Sequence, residues 1–291
     1  METGTLGLIL AAVILGLIVG SFLNVCIFRL PRNESVISPG SHCTLCGSPI
    51  EWYDNIPLVS YFLLLKGKCR SCGGDISLRY PAIEALTGLM FGVFFYTSVC
   101  LAGQPLPVYI AYCVLGSALL VSSFVDLESY IIPNEITYSG IIFGPVYSLL
   151  FPVLHQQHGY YRGVDVLEGQ RLDALLSSLY GMLAGGGLIL FFLVFGEIVF
   201  RKEAMGMGDV KLMAMVGGVL GWKLAVITFF LAPFFALLVN IPLLLSGGLK
   251  RDHKIPYAPF LSLAALVSIR FQEPFVRFLD SRIQIFSLLW S

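Results

Sequence analysis

The sequence predicts an all-α polytopic membrane protein of about eight transmembrane helices, with a cytoplasmic four-cysteine loop between helices 1 and 2. Three observations predict it. The 291 residues are 57% hydrophobic and 12% charged, with mean hydropathy +0.84, where soluble domains carry roughly 25% charged residues. The charges fall between long charge-free runs, each near the ~20 residues that a helix needs to cross a ~30 Å hydrocarbon core. Between the first two runs lies a polar segment carrying two Cys-x-x-Cys pairs and too little apolar content for a core of its own.

In order, Leu6 to Phe28 lacks any charge and forms the first helix. Met1 to Thr5 has Glu2 but no lysine or arginine, and no small-x-small cleavage site follows, so a retained helix is expected rather than a removed signal. No charge occurs between Glu84 and Asp126, and Gly103-Gln104-Pro105 breaks that stretch into helices two and three. Ile136 to Leu154, Ala174 to Phe195 and Leu224 to Leu249 supply three more. Leu212 to Trp222 alone would cover roughly 17 Å, too short to cross, so helix six is expected to start near Ala204, with Asp209 in the membrane's polar edge. Ile255 to Ile269, with Pro256 and Pro259, is a short eighth helix, tilted or partly interfacial. The expected organisation is a first transmembrane helix over 1–28, a cytoplasmic zinc-binding loop over 29–82, and a transmembrane core over 83–291.

Orientation follows from basic residues in the loops. Arg29 to Arg79, Arg201 to Lys211 and Lys250 to Lys254 share one side if the helices alternate, and they outnumber the opposite group of Arg162, Arg171, Lys223, Arg270, Arg277 and Arg282. The first side is therefore cytoplasmic and the N-terminus external. Parity sends Asp126, ending helix three, and Asp209, opening helix six, to that same cytoplasmic face.

Cys43-Thr-Leu-Cys46 and Cys69-Arg-Ser-Cys72 are two knuckles, each able to place two thiolates on one tetrahedral zinc. Gly47 and Gly73-Gly74 follow them, where tight turns suit glycine. A closed four-thiolate site leaves no open position for a substrate, so the zinc is structural. Disulfides are disfavoured by a reducing cytoplasm. His42 reads as an exposed neighbour rather than a fifth ligand, and Cys26, Cys100 and Cys113 as small apolar fillers.

Asp126 and Asp209 are the chemically informative carboxylates. An acid at the edge of hydrocarbon is costly unless paired, hydrated or used. Two brought to one face could form an aspartic peptidase dyad, sharing one proton, one member activating water and the other donating to the scissile carbonyl. Gly206-Met207-Gly208 before Asp209 would let a substrate strand approach closely. The alternative from the residues alone is structural: Asp126 stops a helix, or pairs with a base such as Lys211. Glu128 and Glu135 read as solvated or helix-terminal. Gly185-Gly186-Gly187 reads as a close helix contact.

The chain resembles the type IV prepilin peptidases nearly end to end. The resemblance rests on Gly20-Ser21-Phe22-Leu23-Asn24-Val25 with Arg29-Leu30-Pro31; the cysteine pairs flanking Trp52, Asn55, Pro57 and Ser60; and Tyr80-Pro81, Glu84 and Thr87-Gly88. It continues through Asp126-Leu-Glu-Ser-Tyr-Ile-Ile-Pro133-Asn134, Gly206-Met207-Gly208-Asp209-Val210-Lys211, and Ile255-Pro256-Tyr257-Ala258-Pro259-Phe260. Asn134 stands where the family often has a second aspartate. The resemblance implies catalytic Asp126 and Asp209, and cleavage of the basic leader of type IV prepilins or pseudopilins of type II secretion at the cytoplasmic face of a bacterial inner membrane. It also implies N-methylation of the new terminus with S-adenosylmethionine as donor. The methyl-donor residues are not identified by any motif; the junction of the cysteine loop with Tyr80 to Gly88 is the expected place. There Glu84 would face a substrate amine or the sulfonium, or merely favour a helix N-terminus. No nucleic-acid partner is expected. A monofunctional peptidase, a proton- or cation-coupled transporter and a non-enzymatic assembly factor are the competing classes.

Overall fold

The computed structural model describes residues 3–156, 167–200, 206–246 and 255–289. Those residues contain helices and turns, with no strand beyond two isolated bridges. They are α1 (Thr3–Arg29), α2 (Arg79–Phe94, continued as a π-helical Phe95–Leu101), α3 (Leu106–Ser129), α4 (Asn134–Leu150), α5 (Val153–Gln156), α6 (Leu167–Phe200), α7 (Met207–Leu245), α8 (Ala258–Arg270) and α9 (Gln272–Leu289). The chain divides into two compact units, Met1–Tyr109 and Ile110–Ser291.

In the first unit, α1 meets no charge until Arg29 in its last turn, where a cation suits the helix C-terminus. Pro31 and left-handed Asn33 (φ 55°) then turn the chain out of the helix. α1 crosses α2 at close quarters. A Cβ on Gly16 would fall 2.7 Å from the Thr87 carbonyl oxygen, and one on Gly20 would fall 2.8 Å from the Glu84 Cα, so the interface tolerates only glycine there. One turn on, Asn24 donates from Nδ2 to the Tyr80 carbonyl at 3.0 Å and locks the start of α2 to α1.

The second unit is organised by a reversal. A straight α7 of 39 residues would run ~58 Å, nearly twice the ~30 Å core. At Gly221 the backbone takes φ 78°, ψ 168°, a region open essentially to glycine alone. Met213 and Ala225 both lie against Gly185 of α6, although a straight helix would hold them ~18 Å apart. The chain therefore doubles back at Gly221 as a hairpin with arms 207–220 and 222–245, the two helices that the sequence led us to expect. Buried hydroxyl bonds fasten its neighbours: Ser178 Oγ to the Gly218 carbonyl (2.7 Å), Thr228 Oγ1 to Ser268 Oγ (3.1 Å) and Ser262 Oγ to the Leu119 carbonyl (3.2 Å). Of the glycine triplet in α6, Gly185 and Gly186 meet α7, whereas Gly187 has open space.

Five described helical runs are long and apolar enough to cross a membrane; counting the hairpin as two and adding the shorter α4 and α8 gives the expected eight. The chain is a multi-pass membrane protein. Three local expectations need adjustment. Helix six opens at Met207, and Ala204 lies outside the described residues, as do 157–166 and Lys250 to Lys254. The helix expected from Ala174 already begins at Leu167. Arg270 ends α8, and Arg277 and Arg282 sit on an unanticipated helix, α9, whose apolar Phe275, Phe278 and Leu279 interleave with Arg277 and Asp280 at helical spacing.

Candidate active site and thiol cluster

Helix direction places the aspartates. Tyr112 Oη donates to Gln272 Oε1 (3.0 Å), and Lys223, beside the hairpin turn, pairs with Asp280 at 2.7 Å, which defines one end of the second unit. α3, the first arm of α7 and α8 all span from there to the opposite end, where Asp126, Asp209 and Ala258 lie. There, Asp126 Oδ2 accepts from the Ala258 N–H at 3.0 Å and its carboxylate also accepts from the Tyr257 N–H, filling the open donors at the start of α8. Asp209 Oδ2 accepts from the Gly206 N–H at 3.2 Å at the start of its own helix. Each carboxylate is only 7% exposed, and the charge of Asp126 is felt at Asp209. Tyr257 stands between them electrostatically: its backbone N–H serves Asp126, and its phenol lies within the field of Asp209. Gly208 packs on Ile132, since a Cβ there would come 3.1 Å from the Ile132 Cβ; this brings the segment after Asp126 against the segment before Asp209.

The structural alternative is half right. Both aspartates cap helix starts, yet among the described residues no lysine or arginine forms an ion pair with either. Lys211 is engaged elsewhere, donating to Asn134 Oδ1 at 2.8 Å and lying over the Tyr138 ring. This gives Asn134 a role as a neutral acceptor, one that an aspartate would fill as an ion pair. Glu128 and Glu135 are exposed, as expected.

The thiol cluster belongs to the first unit. In each knuckle the second glycine-side turn closes identically: Cys43 N–H to the Ser48 carbonyl (2.8 Å) and Gly47 N–H to the Cys43 carbonyl (2.9 Å), matched by Cys69 to Gly74 (2.8 Å) and Gly73 to Cys69 (2.9 Å). Gly47 and Gly73 have φ near 73° and 70°. The four sulfurs of Cys43, Cys46, Cys69 and Cys72 lie within 4.8 Å of one another. A tetrahedron with ~2.3 Å metal–sulfur bonds has edges of roughly 3.8 Å, so a small contraction seats a metal ion. The donor chemistry fits too. Ser48 hydrogen bonds draw the Cys46 thiol down to about 6, and the Cys72 and Ser71 N–H groups lower Cys69. At Cys72 the Gly74 N–H favours the thiolate, but the neighbouring Cys46, Cys69 and Cys43 sulfurs outweigh it and push the thiol up to about 11. Among the described residues only these four form a metal-competent group; His42 bonds to the Gly40 carbonyl instead (3.1 Å).

The loop is anchored from both sides. Buried Arg29 donates to the Ser35 (2.9 Å) and Gly40 (3.0 Å) carbonyls, leading into the first knuckle. Arg70, inside the second, forms a two-pronged bond to Asp54 at 2.6 and 2.7 Å, and the guanidinium holds that carboxyl below its ordinary value. Between the loop and the α1–α2 pair opens a cavity of about 720 Å³, within the range of small-molecule sites. Glu84, 8% exposed, lines it and accepts from the Leu58 N–H at 2.9 Å. It sits beyond the first turn of α2, so the helix-terminus reading of Glu84 does not hold. Asn24 lines the same cavity with Oδ1 buried and unpartnered. Sequence reading missed Asn24 and Tyr257 as site residues, although both stood inside the motifs that carried the resemblance. Of the three remaining cysteines, Cys26 and Cys113 are buried, whereas Cys100 is exposed.

A protein with this bundle, a paired-carboxylate centre at one end of the second unit and a four-thiol loop in the first, belongs to the class of multi-pass membrane proteins with a built acid pair. Residues 14–98 match the model of the bacterial peptidase A24 N-terminal domain, and residues 113–241 match that of the type IV leader peptidase family. A prepilin leader peptidase/N-methyltransferase of Pseudomonas aeruginosa is 30% identical over 94% of this chain and 93% of its own, and one of Bacillus subtilis 31% over 91% and 95%. A namesake of Myxococcus xanthus is 37% identical over 81% of this chain, which spans 63% of that relative. The chain belongs to the type IV leader peptidase family. No solved structure matches it significantly.

Proposed function

We propose that the protein is a bifunctional membrane enzyme: an aspartic endopeptidase that removes the basic leader of type IV prepilins or pseudopilins, and an N-methyltransferase acting on the amine so exposed. Asp126 and Asp209 are its catalytic pair. The observation that supports this reading is that both carboxylates are buried, that the charge of Asp126 bears on Asp209, and that neither forms an ion pair among the described residues. A transporter would need acids near the bilayer midplane, whereas both lie at helix ends.

In the mechanism, the two carboxylates share one proton. The ionised member takes a proton from a trapped water, whose oxygen bonds to the scissile carbonyl carbon. The protonated member donates to the carbonyl oxygen; when the tetrahedral adduct collapses, the C–N bond breaks and the amine leaves protonated. A helix hides its peptide bonds, so the cut falls where the substrate is unwound, and Gly206 and Gly208 offer no side chain against an extended strand. The active site faces the cytoplasm of a bacterial inner membrane and the N-terminus is external, an orientation that the basic loops support.

The four cysteines hold structural zinc, and the first-unit cavity receives S-adenosylmethionine. Its volume, the buried Glu84 carboxylate and the unpartnered Asn24 Oδ1 fit a cationic, polar ligand. When bound, the donor supplies an electrophilic methyl group. Glu84 balances positive charge, and Asn24 orients a polar edge. The test is direct: purified enzyme, a synthetic prepilin and labelled donor, read by mass spectrometry. Cleaved, N-methylated product is expected from wild type, and no cleavage from Asp126→Asn or Asp209→Asn. Full cleavage by either variant ends the assignment.

A further inference from the structure

At the acid pair, Tyr257 has a polar side-chain atom left over. Its hydroxyl is buried and has no hydrogen-bond partner, although a buried tyrosine oxygen normally finds one. Such an orphan calls for an unseen water, an ion or a substrate atom. The residue cannot swing freely. Its N–H is spent on Asp126, and its carbonyl accepts from the Phe260 and Leu261 N–H groups at 3.1 Å each, so the backbone is fixed as the start of α8. From that anchor the phenol reaches the field of Asp209. A second orphan, Ser122 Oγ, lies one turn before Asp126, on the α3 stretch bounded by the bonds from Ala258 to Asp126 and from Ser262 to Leu119. Two buried polar atoms without partners thus lie on α3 and at the start of α8, the elements that Asp126 joins.

We propose that the Tyr257 hydroxyl is a third catalytic group of the peptidase centre, donating a hydrogen bond to the scissile carbonyl oxygen as it becomes an oxyanion. This rests on the reading of Asp126 and Asp209 as the catalytic pair. As the water oxygen bonds to the carbonyl carbon, its proton passes to the ionised aspartate and the carbonyl π electrons move onto oxygen. The Tyr257 O–H then points at that oxygen without giving up its proton. On collapse the electron pair returns, the C–N bond breaks, and the amine leaves with a proton from the carboxyl pair. The phenol is the same before and after. A donor aimed at charge that develops only in the transition state acts on kcat rather than on KM.

The test uses the full-length enzyme in detergent or nanodiscs with a synthetic prepilin. Tyr257→Phe keeps the ring and removes only the donor. It is expected to lower kcat for leader cleavage by about 10²-fold with KM within about twofold, the scale of losing one oxyanion donor. A kcat within twofold of wild type, or a rise in KM alone, overturns the proposal. Should Tyr257→Phe fold poorly by thermal unfolding, fluorinated tyrosine at 257 decides instead: activity should fall at high pH where the more acidic phenol ionises, and an unchanged pH profile refutes the donor role. Asp209→Asn in parallel separates the two failures. If it too still cleaves, the acid pair is wrong; if it is dead while Tyr257→Phe is fully active, only Tyr257 is.

Discussion

Replacing Asp126 in two ways separates its two jobs. As a base or acid it must ionise and exchange a proton; as a cap it needs only acceptor oxygens for the Tyr257 and Ala258 N–H groups. Asp126→Asn keeps an amide oxygen 3.0 Å from the Ala258 N–H but has no titrating group. Asp126→Ala removes the acceptor and leaves two N–H groups beside a residue that is 7% exposed. A buried donor left unsatisfied costs about 1–3 kcal/mol, so the alanine variant should lose about 2–6 kcal/mol more stability than asparagine. Losing general acid–base catalysis should lower cleavage at least 10²–10⁴-fold, roughly the range for such groups, and equally in both variants. The assays are initial-rate cleavage of a synthetic prepilin and thermal unfolding in detergent. Equal inactivity with a large gap in melting temperature supports the assignment. If activity instead tracks stability, with asparagine nearly as active as wild type, Asp126 is a cap and nothing more.

Other expectations follow from the first unit and the hairpin. Glu84→Gln should weaken S-adenosylmethionine binding about tenfold or more, by losing a partly buried charge pair with the sulfonium, but leave binding of S-adenosylhomocysteine, which lacks the sulfonium charge, unchanged, as measured by calorimetry; equal weakening of both would refute pairing with the sulfonium. Cys46→Ser or Cys69→Ser should abolish stoichiometric zinc in metal analysis and expose the loop to protease, since a structural zinc site contributes folding energy directly; retained zinc in both variants would exclude the four-thiol site. Gly221→Ala should destabilise the protein by about 1–3 kcal/mol, because φ 78°, ψ 168° is closed to alanine; an unchanged melting temperature would contradict the reversal. Lys211→Met should retain cleavage, because its partner is Asn134 rather than either aspartate; a dead but folded Lys211→Met would place the lysine in the centre.

Much of this was readable because the bilayer makes polar residues conspicuous. Asp126 and Asp209 stood out as carboxylates at the mouths of charge-free runs; helix parity put them on one face, and loop charges marked that face as cytoplasmic. The thiol cluster was readable because, in each of the two knuckles, both cysteines and the turn glycine lie within a few residues of one another. The two-helix reading of 207–245 came from length, since Leu212 to Trp222 is too short to stand alone; the reversal at Gly221 could not, because a glycine among Gly217, Gly218 and Gly221 is not marked until its φ and ψ are known. Long-range pairings were hidden for the same kind of reason. Glu84 owes its position to the Leu58 N–H, and Tyr257 its importance to Asp126, contacts that no local period encodes. α9 escaped notice because its charges mask an apolar stripe that only helical geometry collects.

The topology explains how two carboxylates can be held together at all. Bringing like charges close in a low-dielectric setting is unfavourable unless something of opposite sign sits beside them. Among the described residues no cation does so here. The opposite sign comes from backbone: α7 and α8 both begin at this end, and each points its open N–H groups at one aspartate. The reversal at Gly221 makes that possible, because the returning arm 222–245 lets the chain reach α8 and start it beside the beginning of α7. Fixed dipoles, unlike a lysine, neutralise without donating a mobile proton or blocking the space between the acids. If Asp126 and Asp209 act as proposed, the geometry of cleavage is tied to the positions of two helix starts rather than to any flexible side chain.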